Sequence, residues 1–240
     1  MRRMDERNDM DHLGTVLTIW AHPDDETYLV GGLSALLTDA GHRVVCVTAT
    51  RGEAGVSSDP AYLERLAQVR TAELEAALGI LGIQEHHWLD YPDGGCAGIE
   101  ARLAADRIAA IIDDVRPDTV VTFGPDGFTG HPDHRSVSRW TDLALARAAT
   151  RPRLLHAVTR PETVDRELDE NFGVFELGRP RVCADDELDL LLELDGAVLD
   201  RKVAALLQQV SQTAGLVEAV GRERFRAWVA SESFAEPLPG

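Results

Sequence analysis

Two short segments gather the residue types that metal-assisted hydrolysis uses: His22-Pro23-Asp24-Asp25-Glu26 and His131-Pro132-Asp133-His134. A catalytic zinc takes three protein ligands and keeps a further position for water, and His nitrogen and Asp oxygen are ordinary donors. The segments offer His22, Asp24, Asp25, His131, Asp133 and His134, which is more than three. The surplus is informative, because hydrolysis also needs a base for the water and a stabiliser for the oxyanion. Pro23 and Pro132 fix φ and set a tight local path after each first histidine. Each motif has a plainer reading when taken alone. Asp24 or Asp25 could cap a helix that starts near Thr27, leaving His22 a solvated loop residue. Two such motifs, each at a strand's carboxyl end, favour the metal site.

The elements around the motifs read as alternating strands and helices. Strands are expected at 15–20, 43–49, 86–89, 119–123 and 153–158, with helices at 27–40, 60–81, 99–115 and 132–149. In the second helix, Leu63, Leu66, Val69, Leu74, Ala77 and Leu78 outline a buried stripe. This alternation predicts an α/β fold with a parallel sheet, right-handed crossovers and helices on both faces. Ligands in such folds sit at the carboxyl ends of strands where the strand order reverses. With the order 3-2-1-4-5, strands one and four are neighbours, and the two motifs face each other across one crevice. Residues 1–12 read as a frayed tail, 13–160 as the catalytic core and 161–240 as a C-terminal extension packed on it. In that extension 182–183 and 188–194 suggest further strands, 196–213 and 216–229 read as helices, and 231–240 reads as poorly ordered.

Composition narrows the partners. A net charge of -17 over 240 residues disfavours nucleic acid and anionic membranes, which need clustered Lys and Arg. No apolar stretch reaches the length of a membrane span, and the N-terminus is too polar for a signal peptide. Cys46, Cys96 and Cys183 form neither a disulfide framework nor a CxxC pattern, so the cytoplasm is the expected compartment. A homo-oligomer is compatible with the sequence. His12, His42, His86, His87 and His156 lack a ligand spacing and read as solvated or core-edge residues.

Four blocks, in order, resemble the PIG-L/LmbE family of metal-dependent N-deacetylases. They are Ala21-His22-Pro23-Asp24-Asp25-Glu26, Thr50-Arg51-Gly52-Glu53, Tyr91-Pro92-Asp93-Gly94 and the run from Gly124 through Gly130-His131-Pro132-Asp133-His134. The resemblance covers roughly residues 15–160, and its first and last blocks are the specific ones. It implies a Rossmann-like sheet and removal of an acetyl group from an N-acetylglucosaminyl-type amide, with a small-molecule amino-sugar conjugate as substrate. It also implies that His22, Asp25 and His134 hold Zn2+, iron(II) suiting the same ligands. Asp24 would be the general base for the attacking water. His131 would stabilise the oxyanion or protonate the amine, and Asp133 would orient an imidazole ring. Arg51 and Asp93 would contact the substrate. One departure stands out. Lys202, Ala205, Leu206, Ser211 and Gln212 fit a C-terminal stretch of the family, but Gln209 occupies the position of its histidine, hinting at a different aglycone side.

Two other readings remain open on residues alone. A receiver-like signalling domain could use Asp24-Asp25 for magnesium, though it would have no need of the three histidines. A binding-only homologue would have no need of the surplus carboxylate Asp24.

Overall fold

The computed structural model describes residues 12–54, 59–163 and 172–238. The expected tail lies outside these residues except for His12. The first unit runs β1 (Val16–Trp20), α1 (Asp25–Asp39), β2 (Val44–Thr50), α2 (Pro60–Leu81) and β3 (Glu85–Tyr91). The second runs α3 (Ala101–Val115), β4 (Thr119–Phe123), α4 (Pro132–Leu145) and β5 (Arg153–Val158). The chain closes with β6 (Leu190–Glu193), α5 (Gly196–Leu206), α6 (Val210–Val220), α7 (Arg222–Trp228) and β7 (Ser231–Ala235).

One seven-stranded sheet results, in the order β3-β2-β1-β4-β5-β7-β6. The first five strands are parallel, in the order expected from the sequence. Every residue of β1, β2 and β4 is buried, as β-branched runs covered on both faces must be. Helices α1, α2 and α5 pack on one another, as do α3 and α4, forming the two helical layers. Because β1 and β4 are adjacent, the chain departs from their carboxyl ends in opposite directions. Both motifs leave the sheet there.

Three expectations need correction. The segment 231–240, read as poorly ordered, supplies β7, which pairs antiparallel with both β5 and β6. Its Glu232 explains why: the carboxylate accepts from the Gly32 and Leu33 amides at 2.7 and 2.9 Å, and Lys202 Nζ lies 2.8 Å from it with both side chains buried. A buried charge is tolerated only when paired in this way. The stretches 196–213 and 216–229, read as two helices, form three, since α5 ends at Leu206, α6 runs Val210–Val220 and α7 runs Arg222–Trp228. On α2 the buried stripe holds only from Leu74 to Leu81, because Leu63 and Leu66 are half-buried, Val69 is 43% exposed and the adjacent Arg70 is only 7% exposed.

Candidate metal centre and active site

The first motif turns sharply between β1 and α1. Asp24 takes φ of 118°, a conformation that costs a non-glycine residue about 1–3 kcal/mol. Its side chain makes no capping hydrogen bond, so the capping reading fails for Asp24. Asp25 instead folds its carboxylate back, accepting from the Ala21 and His22 amides at 3.2 and 2.8 Å. The Glu26 carboxylate, fully buried, accepts from the Asp24 amide at 3.0 Å and from Gln209 Nε2 at 2.7 Å. These bonds hold Asp24 in its strained position.

The second motif opens α4, with His131 at the N-cap and its Nδ1 accepting from the Asp133 amide at 3.2 Å. Asp133, fully buried, accepts from the Gly94 and Cys96 amides at 2.7 and 3.1 Å, which binds the second motif to the loop after β3. The His134 ring stacks on Phe123 at 4.2 Å, and Phe123 meets Trp20 edge-on at 4.9 Å. The apolar ends of β1 and β4 thus set that imidazole's plane.

The motifs converge as the strand order requires. His22 Nδ1 lies 3.1 Å from His134 Nε2, His134 Nε2 lies 3.4 Å from Asp25 Oδ1, and His22 Nδ1 lies 3.7 Å from Asp25 Oδ2. The outer nitrogens decide the tautomers. His134 Nδ1 faces the Gly127 carbonyl at 3.0 Å, so it carries that ring's proton. His22 Nε2 faces Asp93 Oδ1 at 3.0 Å and Asp133 Oδ2 at 3.3 Å, so it carries a proton as well. The two inner nitrogens are left to present lone pairs to each other beside a carboxylate. A shared proton or a cation must sit between them, and this donor set fits a divalent metal. Two groupings of close donors exist among the described residues, His22 with His131 and His134, and His22 with Asp93 and Asp133. The second uses the proton-bearing face of His22, and the first places His131 among the donors although its Nδ1 is already engaged. Asp25, which neither grouping contains, brings Oδ1 to 3.4 Å from His134 Nε2 on the inner face of the pair.

The electrostatics follow the burial. Burial acts to lower the pKa of His22, but hydrogen bonds to Asp133 and Asp93, with the charge of Asp25, raise it to about 10. Burial lowers that of His134 to about 4 against the pull of Asp25. Burial also lowers that of His131, as does the charge of His22. The Asp24 carboxyl is pushed up to about 8 by burial, opposed by Arg70 and assisted by Asp25 and Glu26.

Arg70 escaped the sequence reading. Its guanidinium donates to the Pro23 and Gly52 carbonyls at 2.6 and 2.8 Å and reaches Asp24 Oδ2 at 3.5 Å. Gly52 makes room for it: φ there is +67°, and an added Cβ would lie 2.2 Å from Arg70 Nη1. A buried position filled by Arg in an otherwise amphipathic helix leaves no periodic signal. Asp93, expected at the substrate, lines the cavity and also holds His22. Arg51 does not line it; its guanidinium bonds Asp90 and Thr71 and lies over Trp88. Gln209 is buried against Glu26 and Thr27 and does not line the cavity, whereas Gln212, on the helix that begins at Val210, does.

The family profile described as GlcNAc-PI de-N-acetylase matches residues 17–145, more than half of the chain. A 1D-myo-inositol 2-acetamido-2-deoxy-alpha-D-glucopyranoside deacetylase of Mycobacterium sp. (strain KMS) is 33% identical over 94% of this chain and 80% of its own length. Among solved structures, a conserved protein of Thermus thermophilus is 25% identical, with a TM-score of 0.66 over 94% of this chain and 95% of its own. The N,N'-diacetylchitobiose deacetylase of Pyrococcus horikoshii shares the fold, with a TM-score of 0.63 at 19% identity over 96% of this chain and 86% of its own.

Proposed function

The chain belongs to the PIG-L family, and on that premise we propose that it is a metal-dependent hydrolase removing an acetyl group from an N-acetylglucosaminyl-type amide. The convergence of His22 Nδ1, His134 Nε2 and Asp25 on one point carries this reading. These three residues would hold the metal, zinc by the donor set with iron(II) as the other candidate, and a bound ion supplies Lewis acidity for water and carbonyl.

The remaining residues divide the proton work. Asp24, outside the ligand set and held by Arg70, takes the proton of the attacking water. Its raised pKa suits a base working near neutrality, and a neighbouring dication would lower it further toward that range. His131 accepts at Nδ1 from the Asp133 amide, so its neutral ring bears a proton on Nε2. That N–H stabilises the tetrahedral oxyanion, or protonates the departing amine. Asp93 and Asp133 fix the ring of His22 through Nε2. Water and amide are consumed, and acetate and the free amine are released.

The small-molecule substrate follows from the relatives named as deacetylases of N-acetylglucosaminyl compounds. No helix among the described residues is long and apolar enough to cross a membrane, and the three buried cysteines are free, which suits a reducing compartment such as the cytoplasm. Release of acetate and primary amine from N-acetylglucosaminides is the test. The Asp24→Asn protein should lose about 10²–10⁴-fold in turnover while keeping its metal. Full turnover by that variant would remove Asp24 from the base role.

A further inference from the structure

The cavity that opens from the metal centre has a volume of about 500 Å³, more than a bare acetamido sugar ring needs and within the usual range for drug-sized ligands. Its wall carries the metal-centre groups His22, Asp24, Asp25 and Asp93, polar side chains such as Thr159, Gln212 and Ser231, and a larger set of apolar side chains. Tyr28 stands one turn after Asp24 on α1 and meets Trp228 of α7 at 5.8 Å between ring centroids. Phe128, in the loop leading to His131, lies 6.1 Å from Phe175, and Leu216 and Val158 add aliphatic surface. Trp228 and Phe175 come from segments outside the two motifs, whereas Tyr28 follows the first motif on α1 and Phe128 precedes the second.

The charge of the lining points the same way. Asp24, Asp25 and Asp93 supply three carboxylates at the metal centre, Glu232 is already paired with Lys202, and Arg70 is the one Lys or Arg among the described lining residues. Arg70 is committed to the Pro23 and Gly52 carbonyls and to Asp24. Away from the metal centre, a phosphate on the substrate would find no uncommitted Lys or Arg among the described lining residues.

Resting on the deacetylase reading, we propose that the substrate carries an uncharged apolar group, aryl or medium alkyl, seated on the Tyr28, Trp228, Phe128 and Phe175 wall. Its source is either the aglycone or the acyl chain, since both are attached close to the scissile amide.

Binding can be read without turnover. Phenyl and methyl glucosaminides, which have no amide left to cleave, are titrated calorimetrically into the metal-loaded protein. N-octanoyl and N-acetyl glucosamine are compared in parallel with the metal-loaded Asp24→Asn protein. Tenfold or tighter binding of the phenyl compound assigns the wall to the aglycone, and the same gain in the octanoyl pair assigns it to the acyl chain. Trp228→Ala and the milder Leu216→Gln should each shrink whichever preference appears. Ratios near one in both pairs, or binding of an inositol-linked or 1-phosphate glucosaminide as tight as the phenyl compound, would overturn the proposal. If the preference appears but no amide is cleaved by the wild-type protein, the apolar site stands and the deacetylase reading falls.

Discussion

The Nδ1 nitrogen of His22 lies 3.1 Å from the Nε2 nitrogen of His134, although 112 positions separate the two residues in the chain. Both outer nitrogens are committed, to Asp93 and Asp133 on one ring and to the Gly127 carbonyl on the other. The inner pair is consequently a place for a proton or a metal, and these compete.

Metal uptake should therefore expel protons. His22, held near a pKa of 10 in the metal-free site, is protonated at neutral pH and must lose a proton to become a ligand. Titrating metal into chelator-treated protein in weakly buffered indicator dye should release a proton for each ion bound near pH 7. Uptake with no release would mean that the ion binds elsewhere.

Asp93 should act on metal affinity through His22. Asp93→Asn weakens the acceptor that fixes Nε2, and loss of such an outer partner typically costs 10–100-fold in affinity. Competition with a metal-binding dye measures this. Affinity equal to wild type would limit Asp93 to the cavity wall.

Gln209 should matter for stability and for the placement of Asp24. Removing its amide in Gln209→Ala leaves Glu26 buried with one donor fewer, a loss of about 1–3 kcal/mol. Gln209→His, the residue that the resemblance to the family implies there, keeps a ring N–H for Glu26 and should lose less. Denaturant midpoints order the three proteins, and an Ala variant as stable as wild type would contradict the network.

His86 provides a pH test away from the metal. Burial, with the charges of His87 and Arg51, lowers its pKa from 6.5 to about 4, while Nε2 bonds Thr48 Oγ1 at 3.0 Å. The unfolded chain therefore takes up this proton at a higher pH than the folded one. The contribution of His86 is intact above pH 6.5 and is lost as the pH falls toward 4. His86→Gln should show a shallower decline in stability between those values, measured by urea unfolding at a series of pH. Parallel curves would show that His86 does not titrate with unfolding.

The central sheet was legible because β1, β2 and β4 are short, β-branched runs separated by helical periods, and parallel strands buried on both faces leave that imprint. The sheet order then placed both motifs at one crevice before any side chain was positioned. What escaped depends on distant partners. Strand β7 reads as a polar tail because Glu232 and its serines are hydrophilic, and only Lys202 and the α1 amides make their burial tolerable. Arg70 breaks the helical stripe for a carbonyl pair, at Pro23 and Gly52, that no spacing rule describes. The role of Gln209 likewise depends on Glu26, 183 positions away.

The ligand set is tested most directly by an anomalous difference map from crystals grown with zinc. The predicted result is one strong peak at about 2.0–2.2 Å from His22 Nδ1, His134 Nε2 and an oxygen of Asp25. A peak on the opposite face of His22, between Asp93 and Asp133, would contradict it.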